Sequence, residues 1–329
     1  MNKPRNAFHS KYGGMWIDRS DAVEVLSRKE MADDLKEAIY KFILDGYVVL
    51  PKAVPDRFID DFLESIDHSF THGNSDVLYQ KHGSPVTLPL ATPTDPIEAR
   101  VVDAYCVMPE AVSILSNARL IQFLRAIFDE VPLLFQSLSF HQGSQQGLHQ
   151  DTAYVVSNRP MELAACWIAL EDIREGSGEL MYAPGSHRYP DWDFGVSPLR
   201  KHWDSALDEV EQHDKWATWL RDRAETANQG VQKFLARKGD ILIWHADLAH
   251  GGSPVLDKTL TRRSLVGHFC PKSARPNYFD TPPYRSVITE SRRLSYSSMH
   301  YDLTARKNIS PFLNMIAKII RSRFRPVKK

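Results

Sequence analysis

The stretch GLHQDTAYVV places His149 and Asp151 two residues apart, a spacing that could supply half of a metal site. Side chains of a β-strand alternate with period two, so an imidazole and a carboxylate at i and i+2 face the same way and can share an ion; on a helix the same spacing separates them. The sequence holds four His-x-Asp triplets, His149/Asp151, His202/Asp204, His245/Asp247 and His300/Asp302. His202 and Asp204 fall in LRKHWDSALDEV, whose pattern predicts a helix and solvated side chains. His300 and Asp302 leave almost no chain to supply a further ligand. His245/Asp247 ends a strand and enters a turn, where Asp commonly caps the backbone. His149/Asp151 lies in the β-prone run HQDTAYVV, after QGSQQG. Two imidazoles and one carboxylate on one face of an ion, with the other positions open, form the ligand set of non-haem iron(II) oxygenases. His250, in LAHGGSP, is well placed as the second imidazole, with His245 as the alternative.

Downstream comes TRRSLVGHF, a β-type run in which alternation sends Arg262 and Arg263 to opposite faces. One of the pair can point inward and clamp a carboxylate through two parallel hydrogen bonds. A buried guanidinium without an anion is costly, so an inward arginine beside an iron site implies an acidic ligand. 2-Oxoglutarate has such a remote carboxylate, and its 2-oxo-acid end can chelate iron.

The elements that must position these groups are legible in outline. MADDLKEAIYKFILDGYVVLPKAVP reads as an amphipathic helix with Leu35, Ile39 and Ile43 on one face, stopped at Gly46 and followed by a short strand from Tyr47 to Leu50. PDRFIDDFLESIDHSF predicts a second amphipathic helix carrying Phe58, Phe62 and Ile66. From about Pro132 short β-type runs separated by REGSG, PGS and HGGSP predict an antiparallel sandwich or barrel. A Trp-rich, charged helical insertion interrupts it between about 189 and 231. Within APGSHR, read as a tight turn, His187 is expected to be exposed. His141 and His268 read as barrel-lining or hydrogen-bonded histidines, and Cys166 and Cys270 as small core residues. NISPFLNMIAKIIRSRFRPVKK predicts a C-terminal helix capped by Ser310, with a basic tail suited at most to weak membrane-surface contact.

Composition narrows the partners. The chain has 329 residues, 43% hydrophobic and 25% charged, with 41 basic and 41 acidic side chains. No net field draws it to nucleic acid or an anionic membrane. No 18-residue apolar run suggests a membrane span. Three dispersed cysteines without a CxxC pair argue against a disulfide framework or thiolate zinc site and fit the reducing cytoplasm.

The order of segments resembles the phytanoyl-CoA dioxygenase family of iron(II)/2-oxoglutarate oxygenases. The resemblance is carried by GYVVLPKAV near the start, HQD at 149–151, ACWIALEDIREGSGELMYAPGSHR at 165–188, KGDILIWHADLAHGGSP at 238–254 and RRSLVGHF at 262–269, and spans about residues 35–269. It implies a double-stranded β-helix, a jelly-roll or cupin-like barrel in an α+β, mainly β chain, flanked by N-terminal helices, the helical insertion and the C-terminal helix. The expected organisation is one dioxygenase domain over 1–329: a helical N-terminal part at about 20–72, the barrel at about 132–272 and a C-terminal extension at about 273–329. The resemblance further implies that His149, Asp151 and His250 bind Fe(II) and that Arg262, first of the Arg-Arg pair, binds the far carboxylate of 2-oxoglutarate. Trp167 matches a position bordering the cosubstrate pocket. Ser253 matches the hydroxyl after the distal histidine, displaced here by an extra glycine, and Gln136 lies where a strand side chain can reach the cosubstrate. O2 is the second cosubstrate. Because Asp151 is present, variants that bind halide in its place are disfavoured.

The expected reaction is hydroxylation of an unactivated C–H bond in a small metabolite, lipid-like molecule or natural-product intermediate, with release of succinate and CO2. The cover over the open end is expected from residues 72–112 and 189–231. The competing classes are a jelly-roll binding protein without catalysis and a cupin-type metal hydrolase or isomerase that does not use 2-oxoglutarate.

Overall fold

Helices form where apolar residues recur at helical spacing and stop where the backbone must turn. In the computed structural model, which describes residues 10–195, 200–280, 282, 285–290, 294–304 and 307–309, α1 spans Ala22–Arg28 and α2 Asp33–Asp45. α2 buries Ile39, Phe42 and Ile43 and ends at Gly46, whose φ of 78° is the left-handed conformation that closes a helix. A Cβ at Gly46 would also collide with the His187 ring, so two constraints require glycine there. α3, Asp56–His72, buries Ile59, Phe62, Ile66 and Phe70 along one stripe. α4, Pro109–Leu115, begins with proline at its first position. α5, Ala118–Phe128, is capped by the Asn117 side chain, which accepts from the N–H groups of Arg119 and Leu120.

These helices cover one face of a ten-stranded sheet. Its main path uses β1 (Tyr47–Leu50), β2 (Asn74–Lys81), β3 (Thr87–Leu90), β4 (Ala99–Val102), β5 (Pro132–Phe140), β6 (Ala164–Ala169), β9 (Ile241–His245) and β11 (Ser264–Pro271), in the order β1-β9-β6-β11-β5-β4-β2-β3. A second sheet, β10-β7-β8, is built from β7 (Leu180–Tyr182), β8 (Gln232–Phe234) and β10 (His250–Gly252). Register decides which side chains meet, because residues paired across antiparallel strands share a face. Val102, Leu138, Val266, Trp167 and Leu242 are successive partners across the large sheet. Gln136, His268, Ala165 and Trp244 form a parallel row on the same face. The alternate residues, including Val101, Leu265, Cys166 and Ile243, point the other way and pack with the helices in the main core. One sheet therefore separates an apolar helix-facing layer from an inner face that mixes apolar and polar groups, the arrangement expected of a jelly-roll sandwich.

Three sequence expectations are corrected by this topology. The sheet starts at Tyr47, well before residue 132, because β1 pairs with β9 and the β2–β4 segment extends the sheet beyond β5. The strands within 72–112 accordingly form part of the wall, where cover was expected: Gln80, Arg100 and Val102 line the internal cavity. Short strands interrupted by a bulge between Asn74 and Leu78 and by a Pro-rich loop lack the long alternation that announces a strand. His202 and Asp204 lie in irregular backbone ahead of α6, Val210–Glu225, and not on a helix. The C-terminal extension adds β12 (Ile288–Glu290) and β13 (Leu294–Tyr296), the latter parallel to β5. The expected C-terminal helix from Ser310 lies outside the described residues.

No single helix among the described residues is long and apolar enough to cross a membrane. The core is cross-linked where Phe42 of α2 meets Phe123 of α5 edge to face, ring centroids 5.2 Å apart. Both rings are essentially inaccessible, so Phe123→Ala is expected to lower unfolding free energy by about 3–5 kcal/mol in urea titration.

Candidate active site

The two histidines are brought together by the backbone. His149 and His250 form an antiparallel bridge in which each N–H donates to the other's carbonyl at 2.9 Å. A pair that exchanges both bonds holds its side chains on one face of the ladder, and the imidazole centroids are 4.4 Å apart. Asp151 reaches the same point by another route from that expected. The HQDTAYVV run is not a strand: beyond the single bridge at His149 the chain enters a 3-10 turn, Asp151–Ala153, with the Asp151 N–H donating to Ala246 O at 3.0 Å. Period-two alternation is thus not what aligns Asp151 with His149; the turn is.

One ligand atom from each of His149, Asp151 and His250 lies within 4.8 Å of the others. The ring orientations favour a metal. His149 Nδ1 faces Gly147 O and His250 Nδ1 faces Leu248 O, each at 2.9 Å. A carbonyl only accepts, so both Nδ1 atoms carry the proton and both Nε2 atoms present lone pairs in the neutral rings. Burial, then the neighbouring His250 ring, pushes the His149 pKa down to about 3. The Asp151 carboxyl is burdened by burial, but His250 and His268 beside it hold its pKa below the usual carboxylate range. At neutral pH these two groups are therefore a neutral imidazole and a carboxylate, the forms that bind a cation.

The second oxygen of Asp151 has its own partners. Oδ1 is 3.6 Å from His250 Nε2, whereas Oδ2 accepts from Trp244 Nε1 at 2.7 Å and lies 3.6 Å from His268 Nε2. Trp244 lies within KGDILIWHADLAHGGSP, but its role depends on register, since it reaches Asp151 from β9. His268, expected to line the barrel, does so beside the carboxylate. Behind the turn, Thr152 Oγ1 donates to Asp247 Oδ1 at 2.5 Å and Gln150 Nε2 to Asp247 O at 2.8 Å. Lys201 Nζ lies 2.7 Å from Asp247 Oδ2, and His245 Nε2 lies 3.2 Å from Asp18 Oδ1. The His245/Asp247 triplet thus braces the back of the site and leaves His250 as the second imidazole.

The triad opens into a cavity of about 340 Å³ that also contains Arg262, Trp167 and Gln136. Arg262 is 3% exposed. Its Nε donates to Gly178 O and its Nη1 to Ser264 Oγ, each at 3.0 Å. Its guanidinium lies over Trp167 and Phe140, 5.5 and 5.7 Å from the ring centroids. Burial, opposed by Glu179 and Glu171, pushes its pKa down to about 10, so it stays charged at neutral pH. Arg263 points away and binds Asp67 of α3 through both terminal nitrogens. Ser253 does not line the cavity; its hydroxyl donates to the buried Glu179 carboxylate, because the extra glycine carries it past the cavity edge. His187 is buried against Gly46 and not exposed. His300, set aside with its triplet, lines the cavity. At the mouth, Tyr154 Oη is 2.6 Å from His213 Nε2 of α6, tying the helical insertion to the triad turn.

The sequence matches the family described as phytanoyl-CoA dioxygenase (PhyH) over residues 42–264. Among characterised proteins, the peroxisomal phytanoyl-CoA dioxygenase of Homo sapiens is 24% identical over 257 residues, 72% of this chain and 68% of that protein. The Bos taurus counterpart is 23% identical over 186 residues, 54% of this chain and 47% of that protein. Among solved structures, the epimerase SnoN with Fe3+, alpha ketoglutarate and nogalamycin RO superposes with a TM-score of 0.55 at 18% identity, covering 80% of this chain and 98% of that one. EctD from S. alaskensis with 2-oxoglutarate and 5-hydroxyectoine gives 0.54 at 17%, covering 83% and 93%. At such identities the structural likeness concerns the fold.

Two outcomes test the geometry. Trp244→Phe removes one hydrogen bond to Asp151 while keeping an aromatic ring, and competition with a chelator should read a weakening of Fe(II) affinity by roughly ten- to a hundredfold. In the metal-free protein, the unfolded state takes up a proton at His149 near the ordinary histidine pKa and the folded state only near pH 3. Stability should therefore fall as pH drops below about 6.5, by at most about 1.4 kcal/mol per pH unit from this group. Denaturant midpoints measured from pH 7 to 4 should fall less steeply in His149→Gln.

Proposed function

The chain belongs to the phytanoyl-CoA dioxygenase (PhyH) family of iron(II)- and 2-oxoglutarate-dependent oxygenases, and we propose that its reaction is hydroxylation of an unactivated C–H bond in a small metabolite, lipid-like or natural-product molecule. The observation that carries this reading is that one cavity holds both the His149–Asp151–His250 cluster and the buried, charged Arg262. Nitrogen and carboxylate donors in a two-to-one set suit iron(II), and three protein ligands leave coordination positions for cosubstrates. Iron(II) held there would supply, with 2-oxoglutarate and O2, the oxidising power for C–H hydroxylation, with succinate and CO2 as the co-products.

The work of the chain's own residues follows from their contacts. His149, Asp151 and His250 hold the ion, with the Gly147 and Leu248 carbonyls fixing the imidazoles and Trp244 fixing the carboxylate. Arg262 receives the remote carboxylate of 2-oxoglutarate. Its contacts to Gly178 and Ser264 fix the guanidinium before the anion arrives, so little side-chain freedom is lost on binding. Trp167 shields that charge pair from water, and Gln136 borders the cosubstrate. Ser253 acts from behind, holding Glu179 in the wall next to Gly178, the residue that accepts from Arg262. Leu138, Val266 and Val102 supply an apolar side to the cavity that excludes water from the reacting centre. With its cysteines free, the chain suits the reducing cytoplasm. A cupin-type hydrolase or isomerase that does not use 2-oxoglutarate would leave Arg262 without the cosubstrate's carboxylate.

Anaerobic addition of iron(II) and 2-oxoglutarate to the wild-type protein should produce the weak visible charge-transfer band of the chelate, absent in His149→Ala. Saturated wild type without the band would end this reading. Arg262→Gln should retain Fe(II) binding but raise the Kd of 2-oxoglutarate by about a hundredfold, read from titration of that band, because a charge-assisted bidentate pair is lost.

A further inference from the structure

The helical insertion is fastened to the metal-binding turn by contacts of three kinds. The Trp203 N–H donates to Ala153 O at 3.0 Å, and Tyr154 Oη lies 2.6 Å from His213 Nε2 of α6. Ala153, the last residue of the turn, and Ala249, next to His250, share one buried apolar cluster with Phe194 and Trp216 of the insertion. The third contact carries charge. Lys201 is buried, with its Nζ 2.7 Å from Asp247 Oδ2 and donating to Asp191 Oδ1 at 2.9 Å. Burial opposes that cation, but Asp247 and then Asp191 raise its pKa, so it is held as an ammonium.

Asp247 stands between this lysine and the site. It is inaccessible, and its two carboxylate oxygens are divided: Oδ1 accepts from Thr152 Oγ1 at 2.5 Å, while Oδ2 meets Lys201. The main-chain carbonyls of Ala246 and Asp247 accept from the Asp151 N–H and from Gln150 Nε2. Where residues 246 and 247 stand therefore decides where Asp151 stands. A buried carboxylate stripped of its counter-ion is costly and seeks water or another partner. In Asp247 that movement would release Thr152 and, with it, the turn. The far end of the lysine is anchored as well, because Asp191 also accepts from Ser10 Oγ and the Lys11 N–H at 2.9 and 3.0 Å. Asp191 alone would suffice to fasten the insertion; the second carboxylate is the one that holds the ligand turn.

We propose that Lys201 is a positioning residue of the metal centre: through Asp247 and Thr152 it sets the turn that carries Asp151, so that metal binding and the seating of the helical insertion are coupled. Coupling of this kind is reciprocal, and an ion that favours the ordered turn favours the seated insertion by the same factor. The insertion at the cavity mouth and the ligand set then form one unit, complete only when both are in place. The proposal rests on the reading of His149, Asp151 and His250 as metal ligands, but it concerns a side chain outside the cavity.

The test uses the full chain without oxygen and with iron(II) alone, following hydrogen exchange of the backbone amides of residues 203–225 by mass spectrometry. Saturating iron(II) should slow that exchange at least about threefold in wild type and leave it unchanged in His149→Ala. In competition with a chelator, Lys201→Met should bind iron(II) about tenfold more weakly, the effect of losing an outer support of a ligand. Lys201→Arg, which keeps the charge, should stay within about threefold of wild type. A lysine that only fastens the insertion would speed exchange in Lys201→Met while leaving the iron(II) affinity within about twofold of wild type, and that result would overturn the proposal. Wild-type exchange that iron(II) does not slow, or a loss as large in Lys201→Arg as in Lys201→Met, would overturn it too. The wild-type exchange comparison holds however a variant folds. Wild type that binds no iron(II) would strike the ligand reading itself, whereas iron(II) bound without slower exchange strikes only the coupling.

Discussion

The bridge between His149 and His250 is the constraint on which the site depends. Two reciprocal backbone hydrogen bonds join a loop that follows β5 to the first residue of β10, and they align two imidazoles without any demand on side-chain packing. Everything else can then be local. Gly147 and Leu248, each two residues before its histidine, turn the rings by accepting from Nδ1, and the 3-10 turn after Gln150 delivers Asp151 to the same point. The placement of the two imidazoles is thus specified by backbone geometry.

Burying a carboxylate and guanidinium in one cavity is costly, and the fold answers each charge in a distinct way. Asp151 is surrounded by donors: the Trp244 indole, with His268 and His250 nearby. Arg262 is met by neutral acceptors and aromatic faces, with Glu179 and Glu171 near but not in contact. Asp151 is therefore satisfied in advance on one oxygen, whereas Arg262 retains donors that only a bound anion can use fully. Arg100, on the same inner face, likewise meets a neutral acceptor, Gln80 Oε1. The large sheet makes this possible by dividing its two faces: apolar residues of one pack against the helices, and the charged groups line the cavity on the other.

How much of this was legible beforehand depends on the range over which each feature is encoded. The helix that stops at Gly46, the amphipathic stripe of α3 and the strand at Tyr47 are local patterns, and they read correctly. The segment from 72 to 102 did not, because strands of four to eight residues broken by a bulge acquire their identity from the neighbours they pair with. His187 was misread as exposed because its burial depends on the absent side chain of Gly46, distant in sequence.

The sequence by itself determined the residue types of the chemistry: two imidazoles, a carboxylate and a distant arginine in a β-rich frame, with a family resemblance to order them. It also led to the expectation that Arg262 and Arg263 face opposite ways; they do, although both precede β11 in irregular backbone and not on the strand itself. Only the tertiary structure decided which of them turns inward, that Asp151 meets His149 through a turn and not along a strand, that Ser253 serves Glu179, and that Trp244, Arg100 and His300 border the same cavity. The physical reason is register: a slip of one residue in pairing reverses every side chain, and pairing between strands far apart in the chain is fixed by the packing of the whole sheet.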